Sequence, residues 1–120
     1  MTDREMLEFA AKAAGYTLTW GEKYLLGDDE VDCSDIPYIK STAPDVSDGY
    51  WNPLIDDGDA LRLAVDLHFT VRAYMGSTTV QSTVPGGPSV YVTEINEADP
   101  CAATRLAITR AAAEIGRTMP

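Results

Sequence analysis

The densest run of chemically active side chains is Asp28-Asp29-Glu30-x-Asp32, with Asp35 just beyond it. Clustered carboxylates suit a hard divalent cation, and the sharpest comparison is the calcium loop, which needs a glycine at its sixth position and a bidentate glutamate at its twelfth. Counted from Asp28, those positions hold Cys33 and Ile39, so both the turn and the closing ligand are missing. A second cluster, Asp56-Asp57-Gly58-Asp59, stands where a helix should begin, and capping explains it without a metal. His68 is the only histidine, so acid–base or nucleophilic chemistry would have to run through it with Asp66, Cys33 or Cys101. Its place between a helical and a strand-like pattern predicts a junction residue instead. One histidine and two cysteines cannot furnish a four-ligand zinc site of the usual Cys/His kind. Pro85-Gly86-Gly87-Pro88 neither opens a helix nor precedes Lys-Ser/Thr, which predicts a turn rather than a phosphate loop. No catalytic residue, metal or cofactor is therefore expected, and binding is favoured over catalysis.

The aromatic residues fit binding better. Trp20, Tyr24, Tyr38, Tyr50 and Trp51 all fall in or beside the acidic half of the chain. Tyr and Trp are enriched where binding energy concentrates, and surrounding carboxylates steer a positively charged partner. Trp51, directly before a capped helix, is expected in the core. The expected binding residues are Asp28, Asp29, Glu30, Asp32 and Asp35, with Tyr24 and Tyr38. Net charge supports the location: residues 1–60 hold 14 acids against 4 Lys/Arg, a balance of −10, whereas residues 61–120 hold 5 against 5. Such a field repels phosphate backbones and anionic lipid, which argues against direct nucleic-acid or membrane partners and for a protein with a basic surface. The same charge also keeps a protein soluble.

The elements that must position these residues follow from periodicity. With 120 residues and 45% hydrophobic composition the chain is expected to form one domain, residues 1–120, with a single core. Thr2 and Glu5 form a capping box, after which Met6, Phe9, Ala10, Ala13 and Ala14 make an apolar stripe that Gly15 ends. Residues 16–20 alternate like a short strand. Residues 22–49 show no lasting period and are expected to be an irregular acidic loop, pinned to the body by Tyr24, Leu25, Leu26, Ile36, Tyr38 and Ile39. A second helix is expected over about 57–67, with Leu61, Ala64, Val65 and His68 sharing its face. Segments 69–75, 78–84 and 89–95 alternate and predict a three-stranded antiparallel meander. Asp99 and Pro100 start a third helix, expected to bury Cys101, Ile108, Ala111, Ala112 and Ile115 and to stop at Gly116. The class is α+β: a three-stranded or slightly larger antiparallel sheet with about three helices, packed on one of its faces or split across both. No basic leader or long apolar run occurs, so a cytosolic location with reduced thiols is expected.

This order, a short helix ending in glycine, then Trp51-Asn-Pro and Asp56-Asp-Gly-Asp-Ala60 opening a helix, a small antiparallel sheet, and a final helix opened by Asp99-Pro100, resembles the phage ABA sandwich domain family. The resemblance covers most of the chain outside residues 22–49. It implies an α–β–α sandwich from a tailed phage or prophage, active in the host bacterial cytoplasm, and it carries no catalytic residues. The expected role is that of an accessory protein acting by protein–protein binding, an inhibitor of a host or anti-phage defence protein whose basic surface meets an acidic, nucleic-acid-like row. Two rivals are a binder that sequesters a nucleotide-like small ligand, for which Arg62, Arg72 and Arg105 would have to converge, and a virion structural protein. Oligomeric state is open at this stage.

Overall fold

Thr2 opens the chain's first helix as the capping box requires: the Glu5 amide donates to the Thr2 hydroxyl at 3.1 Å, and the Glu5 carboxylate receives the Thr2 amide at 3.4 Å. The computed structural model describes residues 1–40, 48–82, 89–95 and 98–120. Helix α1 (Asp3–Ala14) ends at Gly15, whose φ of 80° is the left-handed cap expected of it. Its buried side chains are Met6, Leu7, Ala10 and Ala11, with Phe9 half-buried, so the helix is rotated slightly from the predicted stripe.

The chain then forms a ribbon. Strand β1 (Thr17–Trp20) pairs antiparallel with β4 (Pro37–Lys40), and beyond them β2 (Lys23–Leu26) pairs with β3 (Asp29–Asp32) around a Gly27-Asp28 turn. A two-residue strand β5 (Gly49–Tyr50) adds to β4. The region expected as an irregular loop over 22–49 is thus largely paired strand wherever it is described, while residues 41–47 lie outside the described part. Gly27 decides the difference: at φ 67° it closes a two-residue turn, and the flanking residues fall into register.

Helix α2 (Asp57–Asp66) is capped by Asp56, whose carboxylate accepts the Asp59 amide at 2.8 Å. It leads through Leu67 and His68, the latter at φ 56°, into β6 (Phe69–Ala73), which pairs with β7 (Ser77–Ser82) and then β8 (Tyr91–Ile95) in the expected antiparallel meander. The turn expected at Pro85–Pro88 and the tail of the second strand, residues 83–84, lie outside the described residues. Helix α3 (Pro100–Thr118) begins at the Asp99 cap and runs through Gly116 instead of stopping there.

The fold is α+β, with three helices and three small antiparallel sheets among the described residues. Alternation places Val71, Val80 and Val92 on one face of the β6–β7–β8 sheet, and α3 lies across that face, with α2 beside it over β6. The opposite face, with Thr70, Arg72, Gln81, Tyr91, Thr93 and Ile95, carries no helix among the described residues. Helix α1 packs on the far side of α3 and touches β1. Because α3 is enclosed by the sheet and α1, it needs small residues around most of its circumference: Ala103, Ala107, Ala111, Ala112, Ala113 and Gly116 are all buried. Cys101, expected on the buried face, is exposed at the first turn. A Cβ at Gly116 would sit 1.9 Å from the Phe9 carbonyl oxygen, so this glycine serves the helix crossing, not a helix end. Trp51 is buried as expected, edge-on to Tyr16 with ring centroids 5.7 Å apart, and the Tyr16 hydroxyl donates to Asp66 at 2.5 Å.

Helix α2 departs from the predicted orientation. It buries Asp59, Ala60, Leu63 and Ala64, and leaves Leu61 and Val65 64% and 59% exposed. The helix carries two apolar stripes about 100° apart, and periodicity cannot tell which of them meets the core.

Candidate protein-binding site

Strands β2 and β3 contact each other and no other element to any extent, and every residue from Glu22 to Glu30 is exposed. The radius of gyration, 15.2 Å, exceeds the roughly 13.6 Å expected of a compact chain this long, and the longest dimension is 51 Å. The hairpin is a projecting arm. Its apolar residues do not pin it to the body as the sequence suggested: Tyr24, Leu25 and Leu26 are 51%, 74% and 67% exposed. Of the six apolar residues expected to anchor this region, Ile39 is buried and Ile36 half-buried.

What holds the arm is its neck. Between the pairs Trp20–Pro37 and Lys23–Asp32 the outgoing chain has two residues, 21–22, and the returning chain has four, 33–36. The surplus is absorbed by a turn in which the Ile36 amide donates to the Cys33 carbonyl at 3.1 Å. Gly21 packs so closely on this turn that a Cβ would stand 2.2 Å from the Cys33 carbonyl oxygen. Asp32 locks the same turn, accepting the Ser34 hydroxyl at 2.5 Å and the Ser34 amide at 2.9 Å. These bonds, the hydroxyl first, hold its carboxyl below the usual range, with Lys23 at 3.9 Å adding to them. Arg4 of α1 fastens the neck to the body: its guanidinium lies 4.1 Å from the centre of the Trp20 ring, donates to the Ser34 carbonyl at 3.3 Å, and stands 3.7 Å from Asp35. Trp20 is held in turn, donating its indole N–H to Glu8 at 3.0 Å.

The five acids expected as one row are therefore distributed. Asp28 is in the turn, Asp29 projects from one face of the ribbon, and Glu30 projects from the other beside Asp32. Asp35 is in the neck, 95% exposed and within reach of Arg4. Two of the five thus face cations of the chain itself, while Asp28, Asp29 and Glu30 have no Lys or Arg within ion-pair distance among the described residues. Tyr24 shares a face with Val31, Leu26 and Asp29; Leu25 is on the other face, opposite Glu30. Tyr38 is on β4, away from the arm, where it pairs across the strands with Tyr50; the two are 38% and 51% exposed. Leu25 and Leu26 were missed from the sequence as surface residues, although the Gly27-Asp28 pair between Leu26 and Asp29 is a hairpin signal.

Arg62, Arg72 and Arg105 do not converge. Arg62 binds Asp59 at 2.9 Å, while Arg105 binds Asp57 at 2.6 Å and the Leu54 carbonyl at 3.0 Å. Both close the N-terminal turn of α2, and Arg72 lies on the open face of the sheet. Among the described residues no three His, Cys, Asp or Glu side chains gather as metal ligands, and no helix is long and apolar enough to cross a membrane. His68 is exposed at the α2–β6 junction, and Cys33 and Cys101 are free thiols. Comparison with protein-family models, with curated proteins and with solved structures gives no match.

Proposed function

We propose that the protein acts by protein–protein binding through the β2–β3 arm, as an accessory protein of a tailed phage or prophage that occupies the basic surface of a host or defence protein. The observation that carries this reading is the arm itself: Tyr24, Leu25 and Leu26 exposed on a ribbon outside the core, next to three acids, Asp28, Asp29 and Glu30, that have no partner cation among the described residues. A two-stranded hairpin is marginal alone in water, and a chain keeps large apolar side chains on one when a partner buries them. The leucines and the tyrosine supply contact area, and the acids supply long-range attraction and orientation. The phage assignment is supported by the element order, with Trp51-Asn-Pro, two capped helices and the meander in sequence.

The test is capture of partners by the tagged full chain from bacterial lysate, with two variants beside it. Leu25→Ser with Leu26→Ser is expected to abolish capture. Asp28→Asn, Asp29→Asn and Glu30→Gln together are expected to weaken it at low ionic strength and to flatten its dependence on salt. A partner held equally by the wild type and both variants would show that the arm is not the binding site.

A further inference from the structure

The β6–β7–β8 sheet has an open edge along β6, and its geometry selects one neighbour. The Tyr74 amide donates to the Ser77 carbonyl at 2.8 Å, which fixes the phase of the ladder. Counting back through the register, Arg72 and Thr70 exchange hydrogen bonds with β7, so the N–H and C=O groups of Phe69, Val71 and Ala73 point outward. The same phase sends the Ser82 amide toward β8, where it meets the Val90 carbonyl at 3.0 Å. Among the described residues no backbone group pairs with the outward three. The strand has no proline, no inward lysine and no bulge, and its one charged residue, Arg72, lies on the face away from the helices. Beside it runs the apolar stripe that α2 does not bury, Leu61 and Val65, above a largely apolar cleft of about 230 Å³ lined by Ala60, Leu61, Val71, Cys101 and Ile108.

We infer that this edge pairs with β6 of a second copy of the chain, antiparallel about a two-fold axis at Val71, to form a continuous six-stranded sheet. In that register Phe69 lies opposite Ala73 of the second copy and Val71 opposite its counterpart, so all three outward residues pair with one another, each pair exchanging two hydrogen bonds. Arg72 then faces Thr70. The register centred on Arg72 would instead set two guanidinium groups against each other, and that centred on Thr70 would set Arg72 against His68; both also leave an outward residue unpaired. Charge permits the contact as well. The acidic excess of the chain lies in residues 1–60, and the carboxylates nearest this edge are engaged, Asp57 by Arg105 and Asp66 by Tyr16. The axis brings the two α2 helices together, so that Leu61 and Val65 of each copy cover those of the other.

Sedimentation of the full chain, followed by amide hydrogen exchange, tests this. At about 10–100 µM the wild type is expected to sediment at twice its 13.0 kDa, with the Val71 amide more protected as concentration rises. Leu61→Glu with Val65→Glu is expected to weaken the dimer at least tenfold while leaving the circular dichroism spectrum unchanged, since both side chains are exposed in the single chain. A monomer at about 100 µM overturns the inference. So does a dimer that withstands these substitutions, or one that dissociates with Leu25→Ser and Leu26→Ser, which would move the contact to the arm.

Discussion

Asp32 uses its charge locally, on Ser34 and Lys23. Its carboxyl is held below the ordinary range by the Ser34 hydroxyl and then the Ser34 amide, so the bonds at the neck are at full strength above the unfolded value, near pH 4, and are lost as pH falls through the lower folded value. Carboxyl-detected NMR titration is expected to find Asp32 below an aspartate in an unfolded peptide, and Ser34→Ala is expected to move it upward. Two glycines make a sharper contrast. A Cβ at Gly15 meets nothing within 4 Å, but the left-handed φ there costs any other residue about 1 kcal/mol, the loss expected for Gly15→Ala. At Gly116 the obstacle is the backbone of α1, which cannot step aside without separating the helices. Thermal and chemical denaturation are therefore expected to show Gly116→Ala losing more, about 3 kcal/mol. Sequence alone treated these two residues alike, because glycine after an apolar stripe is the same signal whether it ends a helix or lets another helix approach.

At the scale of elements, what was legible in the sequence is what is local. The Thr2–Glu5 box, the Asp99 cap, the cap offered by Asp56 or Asp57 and, where it is described, the alternation of the meander all act over three or four residues, and the structure has them, with Asp56 as the cap. What was not legible depends on contacts made far along the chain. Leu61 and Val65 looked like the core face of α2 because they repeat at helical spacing, and only the position of α3 shows that Leu63 and Ala60 lie inside instead. Tyr24, Leu25 and Leu26 looked like anchors because they are apolar, while the Gly27-Asp28 turn between them and Glu30 already contained the hairpin. Asp59 belongs to this scale too, as it ties the segment before α2 to the helix: its carboxylate accepts the Asn52 amide at 3.0 Å and Arg62 at 2.9 Å while almost fully buried. Asp59→Ala is expected to cost about 2–3 kcal/mol in urea denaturation, because it removes charge-assisted bonds in a buried setting. Asp56→Ala, which removes a partly exposed cap, is expected to cost about 1 kcal/mol.

Across the whole molecule, stability is unevenly distributed. The core joins α1, α2 and α3 to both three-stranded sheets through Leu7, Trp51, Leu63, Val80 and Ile108, and the β2–β3 arm has no part in it. Native-state hydrogen exchange is expected to separate the two: amides of β7 and the middle of α3 exchange only on global unfolding, whereas those of β2 and β3 exchange through local opening at least a hundredfold faster, about 3 kcal/mol below the global value. Arg4→Ala is expected to increase exchange further at the neck residues Cys33 and Ile36, without altering β7. This separation bears on how such a chain can change over generations. Substitutions at residues that share no partners combine independently, so the tip residues from Tyr24 to Glu30 can be rewritten without testing the fold each time. A scaffold kept fixed by α3 and its alanines can carry one arm sequence after another without loss of the fold.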